Sequence, residues 1–149
     1  MGNGAYFFIE DRDAAKWWSS CIKDQGKKAV LSVDIQIDES DLLDLDSMGG
    51  SKEFMDFYND LKDAPFQFKF TEEEQDFIHK HPKEKNHVIW SKILELYMQL
   101  NPYRACCRTF EVNVNKFKIE EIGFYAQERQ LNIKDQQLID FDRIELMNV

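Results

Sequence analysis

Gly2-Asn3-Gly4-Ala5-Tyr6-Phe7-Phe8-Ile9-Glu10-Asp11-Arg12-Asp13-Ala14-Ala15-Lys16-Trp17-Trp18 is the stretch on which the fold of this 149-residue chain turns. Residues 5–9 are wholly apolar and too few for a helix, so they predict a buried strand. Asp11 or Asp13 is placed to cap the next segment, where Ala14, Trp17, Trp18 and Cys21 recur at helical spacing until Gly26 ends it. A strand that runs straight into a helix packed on its own sheet is the expectation.

Beyond this unit, residues 29–37 alternate, with Leu31, Val33, Ile35 and Ile37 on one face and Ser32, Asp34 and Gln36 on the other, the signature of a long strand. Leu42, Leu43 and Leu45 thread through acids, and Gly49-Gly50 turns the chain into a helix carrying Phe54, Phe57, Tyr58 and Leu61 on one stripe. Pro65 breaks it, Thr71 and Glu74 form a capping box, residues 79–85 read as a charged loop, and a helix from Val88 stops at Asn101-Pro102. The last third reads as strands: Cys106, Arg108, Phe110, Val112 and Val114 alternate, followed by 130–133, 138–141 and 143–147. The pattern is α+β, one domain over 1–149, with a helical acidic segment at about 51–101 and no internal repeat.

Composition excludes disorder, because 12 Phe, 5 Tyr and 3 Trp are too many for a chain that cannot bury them. No apolar run approaches the roughly 18 residues of a membrane helix, and no signal-peptide pattern opens the chain, so a cytoplasmic setting is expected. The net charge of −9 is unevenly spread: residues 34–76 hold 14 acids against Lys52, Lys62 and Lys69, a balance of −11, while the remainder comes to +2. That field repels phosphate-bearing partners and makes nucleic-acid binding through the middle third unfavourable. The three cysteines, Cys21 and the neighbours Cys106-Cys107, read as buried free thiols, the neighbours facing opposite sides of a strand.

Most chemical motifs are missing. Gly2-Asn3-Gly4 lacks the third glycine of a dinucleotide loop and precedes a strand where a helix should open. His79, His81 and His87 in a charged loop read as surface residues, and a calcium loop at Asp44 and Asp46 fails because Met48 and Met55 stand where ligands belong. No metal site is expected. No serine elbow or cysteine–histidine pairing anchors a hydrolase.

What remains resembles the ADP-ribosyltransferase superfamily, in the branch similar to poly-ADP-ribose polymerases, whose second motif runs Gly-x-Gly-x-Tyr-Phe before a helix containing Ser-Ala-x-Tyr. Gly2, Gly4, Tyr6 and Phe7 fall on the glycines and aromatics without a gap, and Trp17 falls on the aromatic that stacks on nicotinamide. The resemblance implies a mixed or antiparallel β core with helices packed on it. It further implies an NAD site in which Gly4, Tyr6, Phe7, Ala14 and Trp17 hold the cofactor, with Tyr6 and Trp17 as the walls of a slot for the flat ring.

The family also brings a glutamate on a late strand to the nicotinamide ribose, where it stabilises the oxocarbenium-like centre. Glu128-Arg129-Gln130 is the candidate, with an amide where the family most often has its catalytic acid, so the catalytic assignment falls on Glu128 and Gln130. Ala14 stands in place of the serine that bonds the nicotinamide amide, and the family's first motif has no counterpart before Gly2, as though the domain were truncated at the front. Two functions follow. One is NAD-dependent transfer of ADP-ribose to a protein or nucleic-acid acceptor. The other is a non-catalytic relic of the fold whose acidic segment contacts a basic protein. The same aromatics also read as plain core.

Overall fold

The structure, a computed structural model, describes residues 4–22, 28–64, 68–112 and 114–147. A four-stranded mixed sheet organises it, formed by β1 (Ala5–Phe8), β3 (Leu42–Asp44), β4 (Ala105–Glu111) and β7 (Gln127–Ile133) in the order β1-β7-β4-β3. The β1–β7 and β7–β4 pairs are antiparallel and β3–β4 is parallel. Two short ribbons accompany it: β2 (Val30–Ser32) with β8 (Glu145–Met147), and β5 (Lys118–Ile119) with β6 (Phe124–Tyr125). The helices are α1 (Arg12–Cys21), α2 (Met48–Asp63), α3 (Glu72–Lys80) and α4 (Lys85–Leu100), which makes the chain α+β.

Both faces of the sheet are covered, which is why Ala105, Cys106 and Cys107 are buried in succession where a half-solvated strand would alternate. On one face α2 and α4 close over Leu43 and Cys106, with Leu94, Tyr97 and Met98 beside Phe54, Phe57 and Trp90. On the other, extended chain does the covering: Val33, Ile35 and Ile37, then Leu138, Ile139 and Ile144, pack on Cys107, Leu131 and Ile133. The adjacent cysteines therefore serve separate cores, as strand alternation dictates. Cys21 departs from the expectation, since the end of α1 leaves it exposed.

Local signals account for the helix ends. Asp11 caps α1 by accepting the Ala14 N–H at 2.8 Å, and Thr71 with Glu74 closes a full capping box on α3. Gly49 and Gly50 lie inside the first turn of α2 rather than before it, with Ser47 as the cap. A Cβ on Gly50 would meet the Asp44 carbonyl oxygen at 2.1 Å, so the helix start can press on β3 only through a glycine. The breaks assigned to Gly26 and Pro65 lie outside the described residues.

Four sequence expectations change. The strand over 29–37 shortens to Val30–Ser32, because only those residues find a partner, β8. Its pattern also shifts phase there: Val30 is buried and Leu31 exposed, whereas Val33, Ile35 and Ile37 still turn inward as extended chain. Residues 79–85 are not a loop, since α3 runs to Lys80, a 3-10 turn spans Pro82–Glu84 and α4 begins at Lys85. The strand over 138–141 is replaced by 3-10 turns at Gln136–Leu138 and Phe141–Arg143, started by Asp135 and Asp140 side chains that accept backbone N–H groups two residues on.

The charge asymmetry along the chain is met in three dimensions. Arg104 bridges Asp41 at 3.1 Å and Asp135 at 2.8 Å, Arg129 reaches Asp44 at 2.8 Å and Asp46 at 3.3 Å, and Lys92 meets Glu74 at 2.8 Å. Bases from the second half of the chain thus answer acids from the middle third.

Candidate functional site

The site begins where β1 gives way to α1. Glu10 takes a left-handed conformation with φ 54°, which folds the chain back sharply after Ile9, and Asp11 then starts the helix. The opening turns of α1 therefore stand beside the strand they follow. A cleft of about 790 Å³ follows β1, the edge strand of the sheet, and separates it and α1 from the segment 29–35. Tyr6, Phe7, Phe8 and Ile9 line it from the strand, Arg12, Ala15, Trp18, Ser19 and Ile22 from the helix. The helical set recurs at three- and four-residue intervals, so it is one stripe of α1.

Glu128 comes beside the Trp18 wall of this cleft, without lining it, through register. β7 pairs with β1 so that Phe8 lies opposite Gln130 and Tyr6 opposite Asn132, and alternation puts Glu128 on the same face two residues beyond. The residue is 6% exposed. Oε2 accepts the indole Nε1–H of Trp18 at 2.9 Å and Oε1 accepts the Gln130 side-chain amide at 2.5 Å. A carboxylate held by a donor at each oxygen keeps one orientation and retains lone pairs on both.

The seven residues singled out from the sequence are placed as follows. Glu128 and Gln130 are in direct contact, with Gln130 orienting the acid. Tyr6 and Phe7 line the cleft, and the Tyr6 phenol is pushed above its ordinary range by burial, with Glu95 and Cys106 adding to it. Gly4 sits at φ 148° against Asn132, which gives it a backbone role at the start of β1. Ala14 donates its N–H to the Asp11 cap. Trp17 points elsewhere: its ring meets Phe117 edge-on at 5.3 Å and Trp18 at 5.5 Å, with the Lys116 ammonium 5.8 Å from its centre. Gly4, Ala14, Trp17, Glu128 and Gln130 are not among the residues that line the cleft; Glu128 and Gln130 lie behind its Trp18 wall. Gly2 lies outside the described residues.

Trp18 is the cleft-lining aromatic that sequence reasoning missed. It walls the cleft, stands 6.2 Å from Phe8 and touches the acid, whereas alignment on the motif selects its neighbour. The available signal was the stripe Ala15, Trp18, Ser19 and Ile22, displaced by about 100° from the one through Ala14 and Trp17. Asp44 and Asp46, rejected as a calcium loop, are engaged by Arg129, and Asp46 also accepts the Thr109 backbone and hydroxyl at 2.9 and 2.8 Å. Among the described residues no group of three or more His, Cys, Asp or Glu side chains is arranged to hold a metal, and no helix is long and apolar enough to cross a membrane.

The fold and cleft define a mixed α+β protein with an aromatic groove along an edge strand and a buried carboxylate beside it. Comparison with protein-family models, with curated proteins and with solved structures gives no match.

Proposed function

We propose that this chain is an ADP-ribosyltransferase-like domain that binds NAD in the cleft along β1 and uses Glu128 in the transfer of ADP-ribose to a macromolecular acceptor. The observation that supports this reading is the bond between Trp18 and Glu128, which joins the strand–helix unit resembling the nicotinamide motif to the late strand bearing the acid. In such a reaction the bond from the ribose anomeric carbon to nicotinamide breaks, and nicotinamide leaves with the electron pair. Positive charge develops on the anomeric carbon, where a fixed carboxylate stabilises it. The acceptor's lone pair then forms the new bond and its proton passes to solvent. Phe8 and Trp18, on the face of Glu128, supply flat apolar surface for the ring, Phe7 turns to the opposite face of β1, and Gln130 keeps the acid oriented.

A second reading, a non-catalytic domain of the same fold that contacts a basic protein, is favoured by one specific fact. Glu128 is buried, and both of its carboxylate oxygens are engaged by side chains of the protein itself.

Titration calorimetry with NAD, together with an assay for released nicotinamide, separates the two. The transferase reading expects NAD binding and nicotinamide release that Glu128→Ala abolishes. Absence of binding at millimolar NAD would sink it, and binding without turnover leaves the non-catalytic reading.

A further inference from the structure

The arrangement around Glu128 points to a role for Trp18 that the proposed reaction does not by itself require. We infer that Trp18 is the positioning residue for Glu128: a ligand in the cleft touches the indole ring, and the indole N–H in turn sets the orientation of the carboxylate. This rests on the transferase reading given above.

Three observations carry it. First, the Trp18 ring has two environments at once. Trp18 is 44% exposed and forms part of the cleft wall, yet its Nε1 reaches the carboxylate of Glu128, a residue only 6% exposed. Second, the ring is held laterally by Phe8 at 6.2 Å and Trp17 at 5.5 Å, so its N–H direction is fixed by packing on both sides. Trp17 in turn abuts Phe117 at 5.3 Å, which ties the pair to the segment preceding β5. Third, an indole N–H can only donate and a carboxylate can only accept, so the bond has one polarity and one geometry. Gln130 fixes the opposite oxygen, and with both oxygens bonded the plane of the carboxylate is determined.

Flat apolar rings also give the cleft its ligand class. A nicotinamide-sized ring lying against Trp18 would sit on the same indole that orients the acid, so binding and the geometry of the acid are coupled through one side chain. Trp18 does not itself contact the anomeric carbon in this scheme. It acts through Glu128.

Trp18→Phe tests the assignment because it keeps a ring in the cleft wall and removes only the donor. The expected result is a fall in kcat for nicotinamide release of about tenfold, with KM for NAD within about threefold of wild type. A merely structural role would lower thermal stability without that split. A second measurement needs no Trp18 variant: the Trp18 indole N–H resonance in a proton–nitrogen correlation spectrum is expected to move on Glu128→Gln and again on saturation with NAD. An unchanged kcat in Trp18→Phe, a change confined to KM, or an indole resonance indifferent to Glu128→Gln overturns the assignment. Wild-type protein that neither binds nor consumes NAD overturns both this inference and the transferase reading. Robust turnover with an unaffected Trp18→Phe overturns this inference alone.

Discussion

A Cβ on Gly4 would stand 1.8 Å from Asn132 Oδ1 and 2.8 Å from the carbonyl oxygen of Ile133, so β1 enters the sheet against β7 with no room for a side chain. Its φ of +148° also lies where residues other than glycine are strained. The glycine that the family resemblance links to the cofactor is thus required by the backbone of the strand that walls the cleft. Gly4→Ala is expected to cost about 2–4 kcal/mol, read as a lower urea midpoint with an unchanged slope. A variant as stable as wild type would show that β1 meets β7 in some other way.

Arg129 on β7 ties down two acids at the end of β3 and just beyond it, Asp44 and Asp46. Burial pushes the Asp44 carboxyl up, but the Asp46 backbone N–H, the Cys107 thiol and the Arg129 guanidinium together bring it below the ordinary aspartate range. A lowered folded value means that the stabilisation is present above the unfolded value of about 3.9 and is lost as pH falls through the lower folded one. Stability measured by urea unfolding is expected to decline below about pH 4. Arg129→Met should lower it by about 1 kcal/mol at neutral pH, a small figure because solvent screens this half-exposed group, and should flatten the acid decline. Equal acid sensitivity in the two proteins would rule this out.

Tyr97, a residue of α4 only 3% exposed, donates its hydroxyl to Glu53 Oε1 at 2.5 Å, and Tyr103 donates to the same carboxylate at 2.9 Å. Burial, reinforced by Glu53, holds the Tyr97 phenol far above its ordinary range and raises Tyr103 as well. A raised folded value contributes stability that is complete below the unfolded value of about 10 and disappears as pH climbs through the folded one. Phenolate absorbance should therefore develop for Tyr97 only as the protein unfolds in alkali. Glu53→Ala leaves the buried hydroxyl without this acceptor and should cost about 1–3 kcal/mol. Normal titration of every tyrosine in the folded protein would contradict this.

Thiol chemistry gives an independent check on the two cores. Burial pushes Cys106 up to about 12 and Cys107 up to about 11, while Cys21 lies exposed at the end of α1. Because the thiolate is the reactive form, a disulfide reagent at neutral pH should modify one thiol per native chain and all three in denaturant. Rapid reaction of two or three native thiols would mean that one of the cores opens to solvent.

Much of this architecture could be read along the chain. The apolar run after Gly4, the cap at Asp11, the capping box at Thr71 and Glu74 and the alternation from Cys106 are local patterns, and each corresponds to an observed element. The expected strands over 33–37 and 138–141 failed for one shared reason, that a strand needs a partner. Residues 33–37 alternate as a strand would, yet they lie as extended chain over Leu131 and Ile133 without joining a ladder. The short β5–β6 ribbon escaped notice because two-residue strands carry no periodicity.

The site divides in the same way. Tyr6 and Phe7 were singled out because their types and spacing resemble a motif, and Glu128 and Gln130 because they stand, with one departure, where that resemblance expects an acid. The choice between Trp17 and Trp18 was not, because neighbouring residues on a helix differ by about 100° in direction and only the docking of α1 decides which one faces the strand. Nor did composition reveal that the acidic middle third is partly neutralised by Arg104, Arg129 and Lys92, a consequence of contacts between residues far apart in sequence.

By itself the sequence determined the class of the fold, the order of its main elements and the residues worth testing, because helix and strand periodicity and end caps act over a few residues. Tertiary structure alone decided that β7 lies between β1 and β4, that Glu128 is buried against Trp18, and that the cleft follows the edge of β1. Those outcomes depend on register and docking between separate segments, the β1–β7 pairing and the Trp18–Glu128 bond joining residues more than a hundred positions apart.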